Sequence, residues 1–387
     1  VVGITGTNGK TTTAHFLEAI LLAEMKKPAL LGTAAGARYA GKSIDTGLTT
    51  PEAPELQALL SDMVESGVDS LAMEVSSHGI ELKRVAACDF TVGVLTGIGS
   101  DHLDFHESHD AYADTKINWL LGEVAGSKRS KGLVVPADDE WGQAVYQEYR
   151  GAQILTFGME DDADIYPTQM ELRPDGTTVR IVTPDGPLSL TIPVPGRHNV
   201  RNAMAAIGAA QLLGCAPIAV VEGIPRVRRI PGRFEAVPND RGITVLVDYA
   251  HTPDALATAI ASSRELTVGR LIVVFGCGGD RDRSKRPLMG GVVAQAADAM
   301  IVTSDNPRSE EPNDIIEEIL MGIPVREHPL EVAVEPDRRA AIQMAIDMAG
   351  EGDVVLIAGK GHESGQTIGD TTTPFDDRVV AAEALAS

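Results

Sequence analysis

Val1-Val2-Gly3-Ile4-Thr5-Gly6-Thr7-Asn8-Gly9-Lys10-Thr11-Thr12-Thr13 opens the chain and decides how the rest is read. An apolar, β-branched run breaks into a glycine turn holding one lysine and several hydroxyls, then passes into the helical spacing of Ala14, Phe16, Leu17, Ile20 and Leu21. The segment reads as strand, loop and helix. Gly6 and Gly9 let backbone N–H groups converge on one concave point, and the helix N-terminus adds the positive end of its dipole, which suits a polyphosphate. Lys10 would neutralise the outer phosphates, and the Thr11 hydroxyl would sit on Mg2+. The strict phosphate-loop pattern wants glycine at position 4, where Ile4 stands, so the match is to a shortened loop.

A chain of 387 residues is too long for one typical core, and two domains are expected. Hydrophobic residues make up 43% and charged residues 23%, the balance of a soluble globular enzyme. No apolar run approaches a membrane span and the start lacks a basic region and cleavage site, so a cytoplasmic location is expected. Because the chain begins inside its phosphate-loop strand, a preceding segment in the natural gene is also expected. Cys88, Cys215 and Cys277 are too widely spaced for a disulfide framework or a zinc site. The formal net charge of -22 argues against a nucleic-acid partner. An anionic substrate then needs local cations, and Lys10, Arg84, Arg233, Arg281 and Arg308 each stand in or beside a distinctive motif.

Apolar strands alternate with amphipathic helices up to about residue 150, the rhythm of a parallel sheet covered by helices. Strands are expected over 1–5, 29–33, 69–75, 90–96 and 132–136. Over 164–194 the pattern becomes short alternating segments, 177–182 and 188–192, punctuated by Pro174-Asp175-Gly176 and Pro184-Asp185-Gly186, which reads as a small antiparallel patch. An alanine-rich helix over 200–213 returns to the first domain. A proline- and arginine-rich seam at 226–233 follows, and the α/β rhythm restarts with strands over 243–247, 271–275, 299–303 and 354–357. The fold class is therefore α/β: a phosphate-loop domain over 1–230 with a mostly parallel sheet, and a doubly wound, Rossmann-like domain over 231–387.

Polar motifs punctuate these strands. Thr49-Thr50-Pro51-Glu52 reads locally as a helix cap with proline at the first helical position. Glu74-Val75-Ser76-Ser77-His78-Gly79 ends an apolar strand, where Glu74 either holds Mg2+ or caps the strand end. Asp101-His102-Leu103-Asp104-Phe105-His106 offers metal ligands, proton shuttles or a solvated loop. Lys116 lies on a helix starting near Ser108, one turn after Tyr112, and spacing alone puts it at the surface. In His198-Asn199-Val200-Arg201-Asn202, Asn199 reads as a cap, and Asn202, three residues on, faces the same side and could read a base edge. Four motifs follow strands of the second block: Asp248-Tyr249-Ala250-His251-Thr252-Pro253, Gly276-Cys277-Gly278-Gly279-Asp280-Arg281-Asp282-Arg283, Ser304-Asp305-Asn306-Pro307-Arg308 and Gly359-Lys360-Gly361-His362-Glu363. Converging on one sheet edge, they offer arginine forks for carboxylates and acids for an ammonium, as an amino-acid site needs.

Taken together, these motifs resemble the Mur ligases, and within them the branch that adds meso-diaminopimelate. The likeness runs from the first loop to Glu363. It implies a central ATP-binding domain and a carboxyl-terminal amino-acid-binding domain, normally preceded by a uridine-nucleotide-binding domain. It further implies transfer of the ATP γ-phosphate to the D-glutamate side chain of UDP-MurNAc-L-Ala-D-Glu, then attack on the acyl phosphate by the amine of meso-diaminopimelate, as a step of peptidoglycan precursor synthesis. By position, the resemblance assigns ATP contacts to Gly6, Thr7, Asn8, Gly9, Lys10, Thr11, Thr12, Asn202, Arg233 and His251. It assigns the muramoyl dipeptide to Thr49, Thr50, Ser76, Arg84 and Lys116, and the amino acid to Arg281, Asp305, Asn306, Arg308, Gly359 and Glu363. Mg2+ falls to Thr11, Glu74, His102 and Lys116, the last as a CO2-derived carbamate, and Lys10, Lys116 and His102 carry the chemistry. Gly97-Ile98-Gly99-Ser100 departs from the usual Asn-Leu before Asp-His-Leu-Asp, and Leu82 stands where the family is often polar. Rival readings are a folylpolyglutamate- or cyanophycin-synthetase-like ligase and, from another class, a nucleotide-binding module without turnover.

Overall fold

The computed structural model describes residues 1–99, 105–324 and 330–387. The chain divides into two compact units, Val1–Glu171 with Gly176–Arg228, and Arg229–Ser387 with Leu172–Asp175.

In the first unit the elements run β1 (Val2–Thr5), α1 (Lys10–Ala23), β2 (Pro28–Gly32), β3 (Gly36–Tyr39), β4 (Lys42–Ile44), α2 (Ala53–Glu65), β5 (Ser70–Glu74), α3 (Ser77–Glu81), β6 (Val92–Leu95), α4 (His109–Leu121), β7 (Gly132–Pro136), α5 (Glu140–Glu148) and β8 (Gln153–Phe157). Then come β9 (Tyr166–Arg173), β10 (Gly176–Val182), β11 (Leu188–Ile192), α6 (Arg197–Leu212) and α7 (Pro217–Gly223). Among the described residues the large sheet is ordered β4-β3-β2-β5-β1-β6-β7-β8. Across the sheet from β2 to β8 neighbouring strands are parallel; β3 and β4 form an antiparallel hairpin on the edge beside β2. The inner parallel strands are mostly apolar because helices cover both faces. The side chains of Leu31, Met73, Leu95, Leu120 and Val135 are all buried in one core. Each such side chain stabilises the fold by about 1.5–3 kcal/mol relative to exposure. The alanine face of α6 packs on α1 and on β6, β7 and β8, and β9, β10 and β11 form the small antiparallel sheet.

Register fixes what meets at the rim. Ile4 is opposite both Glu74 and Val94, so β1, β5 and β6 end level, with the glycine loop between them. The C-terminal rim of a parallel sheet is where such folds bind ligands.

The second unit contains β12 (Glu235–Ala236), β13 (Thr244–Asp248), α8 (Pro253–Leu266), β14 (Leu271–Phe275), α9 (Lys285–Ala296), β15 (Ala299–Val302), α10 (Pro312–Leu320), β16 (Glu331–Val334), α11 (Arg338–Met348), β17 (Val354–Ala358), a hairpin of β18 (Gly365–Ile368) and β19 (Thr371–Pro374), and α12 (Asp377–Ala386). Its sheet is ordered β12-β13-β17-β14-β15-β16, parallel except for β12. Asp248 is level with Ala358, and Phe275 with Val302, so the four polar motifs leave the sheet on one rim. Beneath that rim Arg338 and Asp377, both wholly buried, pair at 2.7 Å. Arg338 also donates to the carbonyls of Ser304 and Ala358, the residues just before Asp305 and Gly359. No helix of the described residues is long and apolar enough to cross a membrane.

Three local expectations are corrected. Helix α2 starts at Ala53 with Glu52 in the capping position and Pro54 just inside, so Thr49 and Thr50 are not its cap. Helix α6 starts at Arg197, not at residue 200, with Gly196 before it, so Asn199 sits inside the first turn, where its Nδ2 donates to Pro195 O at 2.7 Å. Lys116 is not a surface lysine: it is 1% exposed.

Candidate active site

The phosphate loop leaves β1 and enters α1 through Gly9, whose φ of 86° and tight surroundings both require glycine. A Cβ there would lie 2.3 Å from Asn202 Oδ1, so α6 reaches the loop backbone itself. Asn202 is buried, and its Nδ2 donates to Asn199 Oδ1 at 3.2 Å, so its amide orientation is fixed within α6. Lys10 curls back, Nζ donating to the carbonyls of Gly6 (2.8 Å) and Thr7 (2.9 Å). Thr11 and Thr12 are buried in the first turn of α1. Thr96, after β6, holds the loop from the other side, donating to Thr5 O and, at 2.5 Å, to Asn8 O. Thr7 binds both backbone groups of Gly99 through its hydroxyl and meets the Tyr112 hydroxyl at 3.0 Å.

Glu74 ends β5 with a carboxylate that is 1% exposed. Its oxygens accept from Thr33 N (3.0 Å) and Thr33 Oγ1 (3.1 Å), both neutral donors, and among the described residues it has no cationic partner. The neighbouring strand ends in Gly32, where a Cβ would lie 2.1 Å from Glu74 Oε1. Thr33 Oγ1 also meets Thr49 Oγ1 at 2.8 Å. Thr50 does what a cap reading would miss: its hydroxyl donates to Glu74 O and accepts from Ser76 N, with Ser76 Oγ 3.1 Å away. Ser76 in turn caps α3 by accepting from Gly79 N. Arg84 donates to Thr50 O and pairs with Glu52 at 2.6 Å, and its buried Nε has no hydrogen-bond partner among the described residues. Thr49, Thr50, Ser76, Arg84 and Glu74 thus form one contiguous group.

Ser108 caps α4. Lys116 Nζ lies 3.2 Å from the centroid of the Tyr112 ring, a cation–π contact. His106 packs on Tyr112 and His78, and His78 stacks on Phe105, so two imidazoles stand beside the helix that carries the lysine. His102 lies outside the described residues.

In the second unit Arg233 lies over the Tyr249 ring, 4.5 Å from its centroid, with His251 and His362 against the same ring. Burial, then the neighbouring Arg233, depress the His362 pKa to about 4. His251 Nδ1 is 2.9 Å from Tyr249 O. Asp248, whose carboxyl pKa desolvation pushes up, accepts from Phe234 N and Ala250 N and so ties the seam to the strand end.

The motifs read from the sequence as an amino-acid site also come together. Gly279 N donates to Asn306 O, and Asp280 accepts from Ser309 N and Oγ, joining the loop that carries Arg281 to the loop that carries Arg308. Arg281 donates to Asp280 O. Arg308, at φ 54°, donates through Nη1 to Gly279 O at 2.6 Å. Gly359 lies against the Asp305 carboxylate, and Asn306 Nδ2 donates to Glu363 Oε2 at 2.8 Å. Sequence reasoning gave no role to Thr33, Thr96, Arg338 or Lys360. Lys360 stood in a quoted motif, and a lysine flanked by glycines after a wholly apolar strand was the available signal.

Do these residues suit Mg2+? A hydroxyl at Thr11 and a buried carboxylate at Glu74 with no cationic partner are hard oxygen donors of the kind this cation takes. A buried carboxylate without a counter-cation is costly unless a bound cation supplies one. The described donors therefore fit. Among the described residues alone, no cluster of three acidic, histidine or cysteine side chains forms a metal site.

A shortened phosphate loop on one rim and an arginine-bearing, acid-lined rim on a second parallel sheet define a two-domain nucleotide-dependent ligase. Residues 4–210 match the Mur ligase middle domain and residues 232–361 the Mur ligase glutamate ligase domain, and the chain belongs to the Mur ligase family. Over all 387 residues it is 45% identical to the UDP-N-acetylmuramoyl-L-alanyl-D-glutamate–2,6-diaminopimelate ligase of Gloeobacter violaceus, covering 77% of that protein. It is 42% identical to the ligase of the same name from Clostridioides difficile, covering all of this chain and 78% of that one. A solved structure of a ligase of this name superposes with a TM-score of 0.70 at 34% identity, over all of this chain and 78% of that one.

Proposed function

We propose that this protein is an ATP-dependent amide ligase that joins meso-diaminopimelate to the D-glutamate γ-carboxylate of UDP-MurNAc-L-Ala-D-Glu in peptidoglycan precursor synthesis, a cytoplasmic reaction. The observation that carries the reading is the joining of the Asp305-Asn306-Pro307-Arg308 loop to Glu363, which gives one rim both a guanidinium and a carboxylate for an amino acid with a distal acid group. Its support in kind is the identity to ligases of that name along the whole chain.

The first unit handles ATP and the acid. Lys10, resting on its own loop carbonyls, turns to the outer phosphates when ATP fills the loop, and the N-terminus of α1 adds N–H donors. The acceptor carboxylate forms a bond to the γ-phosphorus as the bond to the ADP oxygen breaks, giving an acyl phosphate and ADP. Thr49, Thr50, Ser76 and Arg84 hold the dipeptide, with Arg84 set in place by Thr50 O and Glu52. The amine of the second substrate then bonds to the acyl carbon, inorganic phosphate leaves, and the nitrogen sheds a proton. Thr11, Glu74, His102 and a carbamate on Lys116 would hold Mg2+, which would neutralise phosphate charge there. A carbamate there would turn the buried Lys116 cation into an anion of the kind a metal requires. In the second unit Arg308 clamps the distal carboxylate, with Arg281, Asp305, Asn306, Gly359 and Glu363 around the α-carbon. Asn202, Arg233 and His251 are assigned to ATP.

The test is phosphate release and amide formation with ATP, Mg2+ and UDP-MurNAc-L-Ala-D-Glu, comparing meso-diaminopimelate with L-lysine. Turnover with diaminopimelate and not lysine is expected, with Arg308→Ala narrowing that gap more than it weakens ATP binding. ATP binding without phosphate release under every acceptor would instead identify a nucleotide-binding module, and glutamate as the preferred amine would point to a folylpolyglutamate-type ligase.

A further inference from the structure

Lys360 follows β17 between two glycines and is wholly buried. Its ammonium donates to Asn306 Oδ1 (3.0 Å), Glu363 Oε2 (3.0 Å) and Gly365 O (2.7 Å). An ammonium has three protons, and all three are spent. Lys360 therefore has nothing left to offer a substrate directly.

What it does offer is orientation. Asn306 Oδ1 accepts from Lys360 and from Thr367 N (3.0 Å), two donors that leave the amide only one way round. Nδ2 must then face Glu363, to which it donates at 2.8 Å. Both Lys360 and Asn306 grip the same oxygen of Glu363, Oε2, while Oε1 has no partner among the described residues. The Glu363 side chain is 33% exposed, so the carboxylate is anchored by its inner oxygen and presents the other outward. A carboxylate presented in that way suits an ammonium group. The β18–β19 hairpin completes the frame: Gln366 Nε2 donates to Asp305 O, and Arg308 N donates to Thr367 O.

We propose that Lys360 is a positioning residue for the amine substrate, setting the Asn306 amide and aiming the outer oxygen of Glu363 at the substrate's ammonium group. The proposal rests on the amino-acid reading of this rim. Without the lysine, Glu363 Oε2 keeps only the Asn306 amide and Asn306 Oδ1 keeps only Thr367 N, so both side chains are held by one bond fewer and the carboxylate is freer to rotate.

The experiment uses the full chain and three variants, Lys360→Met, Glu363→Gln and the double substitution. KM for meso-diaminopimelate and for ATP is measured in each, with a thermal melt as a check on folding. Lys360→Met should raise KM for diaminopimelate roughly tenfold or more while leaving KM for ATP nearly unchanged, a split that general loss of structure does not produce. Because Lys360 acts through Glu363, the double variant should be no worse than Glu363→Gln alone. If the effects of the two substitutions multiply, or if Lys360→Met raises both KM values alike, the positioning role is overturned. Should Lys360→Met fail to fold, the double variant, which removes both charges together, is compared with Glu363→Gln and decides the matter by the same criterion. An unchanged diaminopimelate KM in Glu363→Gln would instead overturn the amino-acid reading of the rim.

Discussion

Replacing Asp377 by alanine should destabilise the second unit severely. Asp377 and Arg338 are both 0% exposed, and the carboxylate takes two guanidinium hydrogens, at 2.8 and 2.7 Å. Removing the acid leaves a buried guanidinium with only the Ser304 and Ala358 carbonyls as partners. Breaking a buried pair from one side typically costs about 3–5 kcal/mol, because the orphaned charge keeps its desolvation penalty. Against a total of about 5–15 kcal/mol for a domain, that is a large fraction. Replacing both partners, Arg338→Met with Asp377→Leu, removes the charge and the penalty together, so it should cost much less than the single change. Urea unfolding followed by far-UV circular dichroism measures both. The two carbonyls that Arg338 holds precede Asp305 and Gly359, so the double variant should retain its fold yet bind the amine substrate more weakly. If Asp377→Ala costs under about 1 kcal/mol, or if the double variant is as unstable as the single, the pair does not hold the rim and the reasoning fails.

Three further outcomes are expected. Gly32→Ala puts a methyl group 2.1 Å from Glu74 Oε1 and must push the carboxylate off Thr33, so Mg2+ titration of phosphate release should show affinity weakened about 10–100-fold, as for other changes beside a metal ligand; an unchanged titration would remove Glu74 from the metal site. Lys116→Ala should lose phosphate release and regain part of it with added short carboxylates that replace the carbamate, and absence of rescue at all concentrations would count against that anion. Desolvation depresses the pKa of the half-buried His198 to about 4, so between there and about 6.5 the unfolded chain binds the extra proton and the folded chain does not. Stability should therefore fall as pH drops through that window, by up to about 3 kcal/mol from this group, and His198→Asn should flatten the acid limb of a urea-unfolding series.

The local chemistry of the site was readable from residues, whereas its wiring was not. The glycine loop, Lys10 and the acidic strand end at Glu74 announce themselves because apolar runs stop at polar residues, a signal contained in a few neighbouring positions. The strands β1, β2, β5, β6 and β7 and the four motif-bearing strands of the second sheet were legible for the same reason. Strand β8 was not, because it lies on the sheet edge and only its last residue, Phe157, is buried, so no apolar run marks it. Helix boundaries misled where a side chain had a distant use: Thr50 resembles a cap but serves Ser76 and the Glu74 carbonyl, 24 residues on. Lys116 looked exposed because helix periodicity says which residues share a face, not what covers that face, and here Tyr112 and the residues around it do. Lys360 was invisible as a positioning group because its partners, Asn306 and Gly365, are brought to it by strand order and by a hairpin with weak alternation.

The Thr7 hydroxyl, in the glycine loop, binds both backbone groups of Gly99 and the phenol of Tyr112, on whose ring Lys116 lies. One side chain therefore links the glycine loop to the aromatic seat of the lysine, and Thr7→Val, which keeps the shape and removes the hydroxyl, removes that link.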